Sequence, residues 1–185
     1  MGVEETILWE RLDRPGHEWA GLERGGPDLV LLGNAVFEHE EQACRLDYQV
    51  ITDGRFHTRR ATVRGWLGER AIEIEIAAGE GSWRMNGSEC REVEGTIDLD
   101  LNFSPSTNLL PIRRLALEVG EESTVRAAWL RFPSFDLEPL EQSYRRVAAS
   151  RYLYRSEGGF EAELEVRPSG LVTLYPGFAR VAGMP

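Results

Sequence analysis

The stretch SPSTNLLPIRRL, Ser104 to Leu115, decides how the chain is read. Small polar residues give way to an apolar run that carries a proline and two arginines. With Asn108 as N-cap, Pro111 falls in the first helical turn, where a missing N–H removes no helical bond, and Gly120 supplies a C-terminal stop. The spacing predicts one helix from Leu109 to about Val119. Its apolar residues, among them Leu109, Leu110, Ile112, Leu115 and Leu117, go most of the way round instead of forming a stripe. A helix apolar on nearly all sides is enclosed, here by sheet.

Outward from that helix, period-2 alternation dominates. RAIEIEIAA puts Ile72, Ile74 and Ile76 on one face and Glu73 and Glu75 on the other, and TIDLDL repeats the arrangement with Ile97, Leu99 and Leu101. Turn signals recur at Pro15-Gly16, Gly25-Gly26-Pro27, Asp53-Gly54, Gly68-Glu69, Asn86-Gly87, Gly158-Gly159 and Pro168-Ser169-Gly170. The expected architecture is a meander of antiparallel hairpins. A two-residue turn at Gly68-Glu69 pairs Arg64 with Glu73, Val63 with Ile74 and Ala61 with Ile76. A three-residue turn at Pro168-Ser169-Gly170 pairs Val166 with Val172 and Leu164 with Leu174. A tight turn at Asp53-Gly54 pairs Leu46 with Ala61 and Cys44 with Val63, and points His57 and Arg59 inward, where polar groups need partners. Leu140 to Ala149 has helical spacing at Leu140, Tyr144 and Val147 but is read as strand or irregular structure.

The 185 residues suit a single domain spanning 1–185 with a substantial core. With 31 acids against 21 basic residues the formal charge is -10, which argues against a nucleic-acid partner and against attraction to anionic bilayers. All the basic residues are Arg, so Schiff-base and lysine-nucleophile chemistry is excluded. The opening MGVEETILWERL places acids where a secretory leader needs a basic start, and no window suits a membrane span. A soluble, cytoplasmic protein without stable membrane insertion is expected, with Cys44 and Cys90 as reduced thiols.

No catalytic motif stands out. HEWAG at His17 and HEEQAC at His39 begin like a zinc-protease motif but lack a second His four residues after the first, so no metal and no other cofactor is expected. There is no Gly-x-Ser-x-Gly elbow and no phosphate-cradling loop. The paired acids Glu73 with Glu75 and Asp98 with Asp100 read as solvated outer faces balanced by arginine. Arg113 and Arg114 are the more informative pair, because an enclosed helix makes a guanidinium costly unless it is paired. Either they clamp sheet acids or carbonyls, or one of them faces a cavity and holds the polar head of an amphiphile.

NFSPSTNLLPIRRL, followed by AAWLRFPSFDLEPLEQSYRR and the terminal GLVTLYPGF, resembles the bacterial putative glycolipid-binding proteins over most of the chain. The resemblance implies a spiral β-roll, a long antiparallel sheet wrapped around a single central helix, and binding of a lipid or glycolipid. It supplies no catalytic residues. The expected ligand would lay its acyl part between sheet and helix. Its head would meet residues drawn from Arg113, Arg114, His57, Arg59, Asn108, Trp129 and Tyr144. Alternatives from other classes are an enzyme of glycolipid metabolism acting in the same cavity and an interaction or scaffold domain.

Overall fold

The computed structural model describes residues 2–26 and 28–183, so Pro27 of the Gly25-Gly26-Pro27 turn lies outside the described residues. In chain order the strands are β1 (Val3–Arg11), β2 (Gly16–Gly25), β3 (Asp28–His39), β4 (Gln42–Thr52), β5 (Thr58–Leu67), β6 (Arg70–Gly79), β7 (Ser82–Met85), β8 (Ser88–Glu89), β9 (Asp98–Leu101), β10 (Glu122–Arg131), β11 (Asp136–Ala148), β12 (Arg151–Ser156), β13 (Phe160–Val166), β14 (Val172–Tyr175) and β15 (Ala179–Val181). All fifteen belong to one sheet in the order β8-β7-β6-β5-β4-β3-β2-β1-β15-β14-β13-β12-β11-β10-β9. The chain walks from the middle to one edge, crosses to the other edge at β9, and returns inward until β15 pairs with β1.

Among the described residues the pairings are antiparallel except one: β9 runs parallel to β10, with Leu99 opposite Ala128 and Leu101 opposite Leu130. A parallel pair needs a crossover of a dozen or more residues, commonly through a helix. The segment quoted at the outset supplies that crossover, which is why a meander of hairpins contains a helix at this one place.

The helix differs from its expected bounds. A 3-10 turn, Pro105–Asn108, leads into α1 (Leu109–Leu115). Ser104, not Asn108, is the cap: its extended backbone precedes Pro105, and its hydroxyl accepts the Ser106 N–H at 3.1 Å. Asn108 already has helical angles. The helix stops at Ala116, which is left-handed at φ 47°, so Gly120 serves the next turn instead and donates its N–H to the Arg146 carbonyl at 2.7 Å. Leu109, Leu110 and Ile112 are buried, whereas Arg113 and Arg114 are partly exposed. Leu109 and Leu110 join the main core with Leu99, Leu101 and Phe103, and Ile112 joins a second cluster with Tyr144, Tyr154 and Leu164. Each such aliphatic side chain contributes roughly 1.5–3 kcal/mol by burial.

Register follows the hydrophobic pattern closely where turns are tight. The β5–β6 hairpin pairs Ala61 with Ile76, Val63 with Ile74 and Arg64 with Glu73, as expected. Between β4 and β5 the pairing is shifted by four residues, giving Val50 with Ala61, Tyr48 with Val63 and Cys44 with Leu67. The cause is a wider loop: the Asp53 carboxylate accepts the N–H groups of Arg55 and His57 at 2.9 and 3.0 Å, and Phe56 takes φ 65°. An even shift keeps the same residues on the core face. At the other hairpin Val166 meets Val172, but an irregularity sets Glu165, not Leu164, opposite Leu174. Leu140 to Ala148 lies within β11, as strand.

The far edges of the sheet approach one another. The Thr58 N–H donates to the Ile97 carbonyl at 3.1 Å, the Leu99 N–H to the Thr58 hydroxyl at 3.1 Å, and the Trp83 indole to the Thr96 carbonyl at 3.1 Å. In consequence β9 is covered on both faces. Leu99 and Leu101 enter the main core, Asp98 on the opposite face is 2% exposed, and Ile97 turns outward. Asp98 and Asp100 are therefore not the solvated pair that their alternation suggests. Glu73 and Glu75 are exposed as expected, with Arg64 beside them. No helix of the described residues is long and apolar enough to cross a membrane.

Candidate functional site

The end of β9 and the 3-10 turn form the floor of a cleft of about 500 Å³. Asp100, Asn102, Ser104 and Asn108 rise from that floor. One wall is aromatic: Tyr154, Phe160, Tyr175 and Phe178 follow one another with ring centroids 5.1 to 6.1 Å apart. Trp129, Phe132 and Leu140 line the same space, and Arg11, Asp13, Arg14 and His39 close one end.

The floor is a connected polar layer. Asp100 accepts from the Gln142 amide at 2.6 Å, and Asn108 accepts the Tyr144 hydroxyl at 2.9 Å while donating to the Pro105 carbonyl at 3.2 Å. Burial, with help from the neighbouring Asp98 charge and against the Gln142 hydrogen bond, pushes the Asp100 carboxyl up to about 6. Burial likewise raises the Tyr154 and Tyr175 hydroxyls, so both stay neutral donors. Beneath Ser104 lies Glu18, which is 1% exposed. Its Oε1 accepts the Tyr48 hydroxyl at 2.6 Å and the Ser104 hydroxyl, while Oε2 has no partner among the described residues. Burial pushes this carboxyl up to about 7, opposed by those two hydrogen bonds and by the Arg11 charge.

The residues named from sequence divide by place. Asn108 and Trp129 line the cleft, and Tyr144, 1% exposed, sits behind Asn108 and orients it. Arg114 is committed to Asp98, donating through Nε at 3.1 Å and through Nη2 to the other oxygen. Arg113 donates to the Pro168 carbonyl at 3.3 Å and lies over the Phe56 ring, 5.1 Å from its centroid, on a different side of the helix. His57 and Arg59 both face Asp53 in the β4–β5 loop, at 3.5 and 2.7 Å, away from the cleft. Between helix and sheet, Leu109 and Leu110 are fully packed, so the cleft opens beside the 3-10 turn and not along the helix.

Sequence reasoning missed Glu18, Asp100 and Arg11. Glu18 stood in HEWAG, weighed only as a metal motif, and Asp100 stood in an alternating strand that reads as half solvated. The usable signal was TIDLDL directly before NFSPSTN, since a strand feeding a buried turn has both faces covered.

A mainly antiparallel β fold with a polar-floored, aromatic-walled cleft matches the general form of ligand pockets, which are apolar in the main with a few converging polar groups. The sequence model of the family described as "Putative glycolipid-binding" matches residues 6–181, and the chain belongs to that family. A solved DUF1089 family protein from Pseudomonas aeruginosa is similar at 30% identity and TM-score 0.76, over 88% of this chain and 91% of that one. No curated protein matches the sequence.

Proposed function

We propose that the protein binds a lipid or glycolipid without catalysing its conversion, with the sugar-like head seated in the cleft and the sheet acting as a spiral β-roll closed about the helix. The observation that carries this reading is the pairing of the Tyr154–Phe160–Tyr175–Phe178 wall with Asp100 and Asn108 on the floor. Aromatic faces pack against the C–H faces of a sugar ring, while carboxylate and amide oxygens accept its hydroxyls. The contacts between Thr58 and Ile97 and between Trp83 and Thr96 support closure of the roll, and the family description supports the ligand class. A cytoplasmic location belongs to the same proposal. Native mass spectrometry of protein purified from its own host is expected to find a co-purifying lipid. Repeated absence, together with no uptake of glycolipid probes, would sink the reading.

A second reading, an enzyme of glycolipid metabolism, is favoured by one feature: a cleft carboxyl, Asp100, poised at about 6. It requires turnover of a glycoside that Asp100→Asn abolishes. Full retention of glycolipid binding with no turnover of any glycoside would remove it.

A further inference from the structure

The closed end of the cleft has a charge pattern that hydroxyl recognition does not use. Arg11 has a side chain only 3% exposed, held between the Phe37 and Phe178 rings at 4.5 and 4.6 Å from their centroids. Its Nε and Nη2 donate to Asp13 at 2.9 and 2.8 Å, and its Nη1 to the Phe103 carbonyl at 2.7 Å. Arg14 donates through Nε to the same Asp13 at 2.8 Å and through Nη1 to His39 Nδ1 at 3.0 Å. Because Arg can only donate, Nδ1 accepts, and a neutral His39 carries its proton on Nε2.

A guanidinium has five N–H groups. Among the described residues Arg11 spends three of them and Arg14 two, so both forks keep donors without a partner there. Among the described residues Asp13 is the only carboxylate in ion-pair contact with either, so two positive charges share one partner. Glu18 also acts on Arg11 from beneath Ser104, but burial holds it largely protonated below neutral pH. The aromatic rings keep water from Arg11, which leaves its charge strong and its fork in place. In a chain of net charge -10 such a spot acts at contact range and not by long-range attraction.

Resting on the reading that the cleft takes a polar head, we propose that Arg11, Arg14 and His39 form a subsite for a phosphate monoester carried by the ligand. Its terminal oxygens match the remaining N–H groups of two guanidinium forks, a geometry in which arginine outperforms other donors, and the His39 Nε2–H, which the largely exposed Glu40 carboxylate approaches only to 4.0 Å. A phosphorylated sugar and a phosphorylated glycerolipid share this chemistry.

Calorimetric titration of the full chain with octyl glucoside below its micellar range, glucose 1-phosphate, short-chain phosphatidic acid and inorganic phosphate tests the subsite. The unaltered protein is expected to bind at least one phosphate monoester more tightly than octyl glucoside, and the better of the two monoesters identifies sugar or glycerolipid as the carrier. Arg14→Gln, at a partly exposed side chain, should weaken that binding about tenfold, as loss of one charge-assisted hydrogen bond does, and weaken octyl glucoside binding by a much smaller factor. Arg14→Lys should recover part of the loss, and His39→Ala offers a second variant if Arg14→Gln folds poorly. Equal affinity of Arg14→Gln and the unaltered protein for the monoester, or no binding of any phosphate-bearing probe, overturns the subsite. Phosphate-dependent binding without any octyl glucoside binding supports the subsite while removing the glycolipid reading.

Discussion

Tyr48 on β4 reaches Glu18 on β2 across the intervening strand, its hydroxyl 2.6 Å from Oε1, because Gly33 on β3 leaves the ring room to pass. A Cβ at position 33 would lie 2.4 Å from Tyr48 Cζ and 2.6 Å from the Trp19 carbonyl. Gly33→Ala must therefore displace the tyrosine, and the expected cost is about 1–3 kcal/mol, as for other overpacked cores. Urea denaturation measures it. An unchanged midpoint would show that Tyr48 moves freely and that the contact with Glu18 is dispensable.

Stability should fall as pH rises through the acid range. Glu18 moves from an ordinary 4.5 to about 7 and Asp100 from 3.8 to about 6, both chiefly through burial. A carboxyl raised in the folded state binds more protons there than in the unfolded chain, so ionising it costs folding free energy. The loss starts near pH 4 and is complete above pH 7, on the order of 3 kcal/mol for each group. Glu18→Gln should flatten the upper part of the profile and Asp100→Asn the lower part. Stability that climbs steadily from pH 4 to 7 in the unaltered protein would contradict this.

Ser104→Ala removes the cap of the 3-10 turn and one hydrogen bond to Glu18 at once. About 1–2 kcal/mol should be lost, typical of N-cap deletions. The same change should raise the Glu18 carboxyl above about 7, because the Ser104 hydroxyl favours its ionised form. A Ser104→Ala protein with an unchanged pH profile would separate the serine from the carboxyl.

Breaking the Arg114–Asp98 pair should be costly from the arginine side. Asp98 is 2% exposed, so Arg114→Met strands a buried carboxylate, for which about 3–5 kcal/mol is expected. Adding Asp98→Leu should restore much of the loss. A double variant as unstable as the sum of the single changes would mean that the two side chains act independently.

Much of the architecture was legible because period-2 alternation and turn chemistry act locally. The Ile72–Ile74–Ile76 face and the β5–β6 register follow from a tight turn at Gly68-Glu69, with no distant contact required. At Asp53 the same reasoning gave the right face but the wrong partners, since the loop width depends on the Asp53 carboxylate capturing the Arg55 and His57 amides. The helix was foreseeable, its cap was not. Ser104 outcompetes Asn108 because Pro105 preorganises the turn one residue later.

The site itself was legible only in fragments. Asn108 and Trp129 were found, but Arg113 and Arg114, the most conspicuous charges, are engaged by Pro168, Phe56 and Asp98. Local pattern alone settled that this chain is rich in strands with a helix starting at Leu109, because pleat and helix periods are properties of neighbouring residues. Tertiary structure alone decided that β9 runs parallel to β10, that Asp98 and Asp100 face inward, and that Arg11 meets Phe103 across 92 positions of sequence. Those outcomes depend on which distant surface covers a strand's second face, and no local spacing encodes that.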